Sequence, residues 1–150
     1  MNASVESVRV AGTPEGPTGI VLLGVEDEEY DVLPIFIGLE EASSIARGTD
    51  AVDLGRPLTH DLLLDTIEEL GGRIDRIVVS AVKEGTYIAD LHLETPRGEA
   101  VIDARPSDSL ALAARTDAPI EIDSGVFEKG RQPADEFVEL QDVREIYDPS

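Results

Sequence analysis

Two short strings concentrate the reactive side chains of this chain. Arg56-Pro57-Leu58-Thr59-His60-Asp61 places a guanidinium, a hydroxyl, an imidazole and a carboxylate together at the start of an expected helix. Free N–H groups and the helix dipole favour anions at such a position. Arg56 can clamp a phosphate with two parallel hydrogen bonds, and His60 can serve as a general acid or a metal ligand. The same residues also make a plain capping structure. In that reading Thr59 is the N-cap, Asp61 complements the dipole, and Arg56 pairs with a carboxylate elsewhere.

Asp103-Ala104-Arg105-Pro106-Ser107-Asp108 is the denser constellation, and it sits where a strand hands over to a helix. Two carboxylates beside an arginine suit a divalent cation plus a phosphate, because hard cations take oxygen ligands. Such a cation polarises a phosphoryl group or activates a water. Glu40 or Glu41 completes the set if their helix converges on Asp103 or Asp108; otherwise both are ordinary first-turn acids. The structural alternative has Ser107 and Asp108 capping a helix and Arg105 paired with Asp103. Neither a G-x-S-x-G elbow nor an H-E-x-x-H motif occurs, so the familiar hydrolase signatures are missing.

These strings depend on the elements around them. Residues 4–11 alternate as a strand, and 12–19 read as a Gly- and Pro-rich loop. Strands over 20–25 and 32–37 flank an acidic tip at 26–31, with Pro34 marking an edge or a strand start. A helix follows from Leu39 to Arg47 and stops at Gly48; 49–57 is a loop. A second helix from Thr59 to Leu70 should bury Leu62, Leu63, Thr66, Ile67 and Leu70, and Gly71-Gly72 closes it. Strands over 73–82, 86–94 and 100–104 form a second meander. Pro106 and Ser107 open a third helix that packs Leu110, Ala111, Ala113 and Ala114, before a short strand at 120–122. No internal repeat is visible. Strands in hairpin pairs mixed with helices define an α+β class. The expected architecture is one domain over 1–125, with antiparallel or mixed sheet meanders and three main helices. Residues 126–150 read as an acidic C-terminal extension. One helix over 135–146 would pack Phe137, Val138, Leu140 and Ile146, and a mobile tail would follow.

Composition narrows the function. The 150 residues carry 12 Lys plus Arg against 32 Asp plus Glu, a net charge of −20. The basic footprint of a usual nucleic-acid binder is therefore missing. Only Lys83 and Lys129 are lysines. An acidic surface with so little Lys reads as adaptation to molar salt, where the Debye length falls to about 3 Å. The alternative is an intrinsically acidic protein of ordinary surroundings. Zero Cys excludes disulfides, zinc-thiolate sites and a cysteine nucleophile. The chain shows no long apolar span and no basic-then-apolar leader, so no membrane contact and a cytoplasmic location are expected. Three Tyr, three Phe and no Trp give little for a row of stacked bases.

Three separated strings resemble the bifunctional nuclease domain family of bacteria, archaea and plants. They are Leu33-Pro34-Ile35-Phe36-Ile37-Gly38 with Glu41-Ala42 and Ile45-Ala46, then Arg56 to Leu62, then Asp103 to Ala113. The resemblance covers roughly 5–125, and the charge balance suits a haloarchaeal member. It implies an α+β fold, nuclease activity on DNA and RNA as reported for some relatives, and a homo-oligomer, with a dimer expected. The family motif falls on Glu41, Arg56, His60, Asp61, Asp103, Arg105, Ser107 and Asp108. The expected function is metal-dependent hydrolysis of phosphodiester bonds. Asp103, Asp108 and Glu41 would hold Mg²⁺ or Mn²⁺, Arg56 and Arg105 would stabilise the developing charge, and His60 with Asp61 would handle protons or water. The alternative is a non-catalytic oligomeric binding module, in which these motifs build an interface or a small-anion pocket.

Overall fold

A computed structural model describes residues 1–50 and 58–147. β1 (Asn2–Thr13), β2 (Gly16–Val25) and β3 (Asp31–Ile37) form an antiparallel meander that passes through Gly38 into α1 (Leu39–Thr49). After α2 (Thr59–Glu69), a second meander of β4 (Arg73–Lys83), β5 (Thr86–Thr95) and β6 (Gly98–Ala104) passes through Arg105 into α3 (Pro106–Thr116). β7 (Ile120–Ile122) runs parallel to β4 and antiparallel to β1, which joins the meanders into one mixed sheet. Then come α4 (Ser124–Gly130), β8 (Gln132–Pro133), a 3₁₀ turn at Ala134–Phe137, β9 (Gln141–Asp142) and α5 (Arg144–Tyr147). The strand order is β6-β5-β4-β7-β1-β2-β3-β8, with β9 on β1. The α+β architecture expected from the hairpin pattern is the one observed. The fold also contains two strand-strand-strand-helix units, a repeat of chain path that leaves no repeat of residues.

Several local expectations need correction. The Gly- and Pro-rich segment at 12–19 is not a loop. β1 and β2 continue through it to a two-residue turn at Pro14-Glu15, where Gly16 takes φ +112°. Gly48 does not stop α1, which runs on to Thr49. A Cβ at Gly48 would stand 2.8 Å from the Arg115 Nη1 and 3.1 Å from the Ala114 Cβ. This glycine therefore lets α1 and α3 approach closely. Gly19 does the same between β2 and α1, because its Cβ would fall 2.6 Å from the Ala42 Cβ and 3.1 Å from the Gly38 carbonyl oxygen. Gly19→Ala should destabilise the fold by about 1–3 kcal/mol through overpacking, read as a lower urea midpoint with unchanged slope.

β2 explains why its sequence reads as an unbroken apolar run. Val21, Leu23 and Val25 face the main core with Ile45 of α1 and Leu110 and Leu112 of α3. Ile20 and Leu22 face the other way, against Val32 and Phe137. A strand covered on both faces loses the polar half of its alternation. The cover on the second face is the C-terminal segment, so the fold does not end at residue 125. Phe127, Phe137 and Val143 are buried, β8 extends the sheet at β3, and β9 pairs with β1. The single helix expected over 135–146 is replaced by the 3₁₀ turn, β9 and α5. The edge of β3 and the stretch of β1 beyond its β7 pairing offer free backbone groups, and this segment pairs with both instead of forming a longer helix. Val138 is exposed, and Leu140 packs beside Phe137.

α2 also departs from expectation. Among its described residues none is fully buried, and Leu62, Leu63 and Leu70 are exposed; Leu64 makes the core contact instead. The helix packs against α3, and its His60 reaches Ser44 of α1. No described helix is long and apolar enough to cross a membrane.

Candidate functional site

The N-termini of α1 and α3 meet at Arg105. Glu41 and Asp108 each occupy the third position of their helix, and both bond this one guanidinium. Arg105 donates from Nε to the Asp108 Oδ2 at 3.0 Å, from Nη2 to the Asp108 Oδ1 at 3.3 Å, and from Nη1 to the Glu41 Oε1 at 3.2 Å. Behind this layer, His60 near the start of α2 spans two groups. Its Nε2 lies 2.9 Å from the Asp108 Oδ1 and its Nδ1 lies 2.6 Å from the Ser44 Oγ.

Arg115, in the last turn of α3, sets the proton positions. Its side chain is only 8% exposed and donates to the Asp61 Oδ1 at 2.6 Å, the Ser44 carbonyl at 3.0 Å, the Ala111 carbonyl at 2.8 Å and the Ser44 Oγ at 3.2 Å. An arginine can only donate. The Asp108 carboxylate can only accept, so His60 donates to it from Nε2; in a neutral imidazole Nδ1 then accepts from the Ser44 hydroxyl, which itself accepts from Arg115. The chain Arg115–Ser44–His60–Asp108–Arg105 is one continuous run of hydrogen bonds from the buried side of α3 to the surface. Both His60 nitrogens are occupied, so this residue holds Asp108 in place and does not itself face open space.

Burial pushes the Asp108 carboxyl upward, but hydrogen bonds from His60 and Arg105 outweigh it and hold it below the usual carboxylate range. Asp61 behaves likewise, with Arg115 and the Leu58 N–H overcoming burial. A carboxylate with a lowered folded pKa adds stability above its unfolded value of about 3.9, and the addition fades as pH falls through the folded value. Thermal melts should therefore lose stability most steeply below about pH 4. Asp108→Asn and Asp61→Asn should each flatten that part of the curve.

The capping expectations do not hold. Leu58 is the N-cap of α2 and Thr59 its first helical residue, while Asp61 reaches back to the Leu58 N–H at 3.0 Å. In α3, Pro106 takes the first position, so Arg105 becomes the N-cap and Ser107 falls to the second position without capping anything. The side-chain cap that does exist is Asp123 on α4, which accepts from Gly125 and Val126. Arg56 lies outside the described residues.

The front of this network opens on a cleft of about 310 Å³. Its walls are Ile35 to Gly38 of the first meander, Gly85 to Tyr87 at the β4–β5 turn, and Glu41, Arg105, Pro106 and Ser107. The expected metal set does not assemble there. Asp103 pairs with Asp90 across β5 and β6, on the face opposite Ala89 and Leu91, which belong to or border the α3 core. It is exposed on the far side of the sheet, whereas Glu41 and Asp108 are both held by Arg105. Among the described residues, no three His, Asp or Glu side chains are placed to hold a metal ion.

Ser44 and Arg115 escaped the sequence reading. Ser44 falls on the opposite side of α1 from Ala42 and Ala46, where a hydroxyl normally reads as solvated, yet it is buried. Arg115 left no trace, because a basic residue in a last turn normally reads as a solvated complement to the dipole.

A family model described as Bifunctional nuclease domain matches residues 21–135. Uncharacterized protein Rv1829 of Mycobacterium tuberculosis (strain ATCC 25618 / H37Rv) is 37% identical over 123 residues, covering 79% of this chain and 72% of its own length. Bifunctional nuclease 2 of Arabidopsis thaliana is 25% identical over 109 residues, 71% of this chain and 33% of its own. Bifunctional nuclease 2 of Oryza sativa subsp. japonica is 24% identical over 110 residues, 71% of this chain and 34% of its own. This chain thus spans about a third of the plant proteins.

Proposed function

We infer, from the premise that this chain belongs to the bifunctional nuclease domain family, that it acts on phosphodiester bonds of nucleic acid at the cleft in front of Arg105. One observation supports the reading most. An exposed guanidinium is held between two acidic helix N-termini at the mouth of a ligand-sized cleft. Arg105 would bond the non-bridging phosphate oxygens and offset their growing charge. Glu41, the carboxylate in the cleft wall, would take the proton of an attacking water. Asp108 and His60 would position Arg105, with Ser44 and Arg115 fixing the imidazole behind them. Asp61 would act only through Arg115. Among the described residues, the carboxylates expected to hold Mg²⁺ or Mn²⁺ do not come together as a set.

The test is cleavage of single- and double-stranded DNA and RNA by purified protein, with and without EDTA, in low and high KCl. Cleavage that Glu41→Gln reduces by about 10²-fold or more, with the fold intact, is the expected result. Cleavage indifferent to Glu41→Gln contradicts the assignment. Loss of cleavage in EDTA would reinstate a metal. A second reading, a binding module without chemistry, draws on a specific feature of the site. The carboxylates of Glu41 and Asp108 are both already bonded within the chain. It predicts nucleic-acid or anion binding with no cleavage.

A further inference from the structure

We propose that the cleft binds the phosphate of a single nucleotide unit, with the Ser107 hydroxyl, the first N–H groups of α3 and the Arg105 guanidinium as its donors. This goes beyond the nuclease reading, because it holds whether the cleft cleaves its ligand or only binds it. The first observation is Ser107 itself. It is 5% exposed yet lines the cleft, and its hydroxyl has no hydrogen-bond partner among the described residues. Its oxygen is not sealed off like the unpartnered Ser109 Oγ and His92 Nδ1; it opens onto the cleft and is free to donate to a group that enters there.

The end of α3 supplies the second observation. No side chain caps this eleven-residue helix. Asp108 stands at the third position, where an acid could turn back to the helix, but its oxygens are committed to His60 and Arg105. Pro106 has no N–H, so the leading donors are the backbone groups of Ser107 and Asp108. Uncapped N–H groups, a free hydroxyl and a guanidinium at one helix end form a complete anion cradle. Among the described residues, Glu41 is the one carboxylate in the cleft wall, bonded to Arg105 at 3.2 Å. An entering phosphate would take over that Nη1 hydrogen bond.

The rest of the cleft defines the ligand around the phosphate. Phe36, 61% exposed, and Tyr87 line the same space and offer apolar surface for one base or sugar. At about 310 Å³ the cleft has room for one nucleotide and none for a duplex. Two rings at one cleft differ from a row of stacking platforms, which the scarcity of aromatics still excludes.

AMP, adenosine and inorganic phosphate would be titrated into the full chain, followed by amide NMR and calorimetry, in about 0.15 M and about 2 M KCl to separate screened from unscreened charge. The expected result is saturable AMP binding, weaker phosphate binding and weaker adenosine binding still. The amides of Ser107 and Asp108 should shift most. Ser107→Ala should weaken AMP about tenfold, and Arg105→Gln, on the exposed rim, by about tenfold or more. The proposal is overturned by absence of AMP binding at both salts, by shifts centred elsewhere, or by both variants binding as the natural chain does. Binding of this kind without any cleavage contradicts the nuclease reading alone. Cleavage without it contradicts this proposal alone.

Discussion

Arg105→Gln should lower kcat/KM for phosphodiester cleavage by about 10²–10³-fold, the usual loss when one donor to a developing oxyanion is removed. The size follows from position. Arg105 is the one cation among the described residues that line the cleft, and its guanidinium is 66% exposed at the mouth. Gln keeps a hydrogen bond but loses the charge and the planar fork. Arg105→Lys should recover only part of the rate, since a lysine cannot make the bidentate contact. Stability should change little, because exposed ion pairs contribute about 0–1 kcal/mol. The loss should fall on kcat more than on KM if the guanidinium meets charge that grows in the transition state.

The largest structural effect belongs to Arg115. Arg115→Ala should destabilise the chain by about 2–4 kcal/mol, because it leaves two helix carbonyls, Ser44 and Asp61 without their donor. Asp61 is 39% exposed and keeps some solvent contact, which places the estimate below the full cost of breaking a buried pair. In a domain of this length the midpoint should fall by about 5–15 °C in a calorimetric melt. Arg115→Lys should recover less than half, since one ammonium cannot reach Asp61, both carbonyls and the Ser44 hydroxyl together. A variant that melts like the natural chain would show that these bonds are replaced by water at no net cost.

Arg105 and Arg115 also show how far the sequence could be read. Arg105 was legible because Asp103, Pro106 and Asp108 surround it at a strand-to-helix junction. Its partners were legible only in part. Glu41 and Asp108 proved to be neighbours because α1 and α3 pack side by side, a contact that no local pattern encodes. Asp103 looked equivalent to Asp108, yet the two-residue period of β6 turns it to the opposite face of the sheet. His60 was found from its company, but its engagement at both nitrogens depends on Ser44, which comes from another helix. The strands were legible through alternation, except where β2 lost it to burial on both faces. α2 carried a convincing apolar face that the fold leaves exposed. The C-terminal segment read as a helix because pairing to β1 and β3 is a long-range effect.

The most direct test compares cleavage of one end-labelled single-stranded oligonucleotide by three proteins. These are the natural chain, Arg105→Gln, and Leu70→Ser as an exposed position away from the cleft. Equal rates are expected for the natural chain and Leu70→Ser, with Arg105→Gln slower by about 10²-fold or more. Equal rates for all three, or no cleavage by the natural chain at either salt and with either divalent ion added, would contradict this expectation.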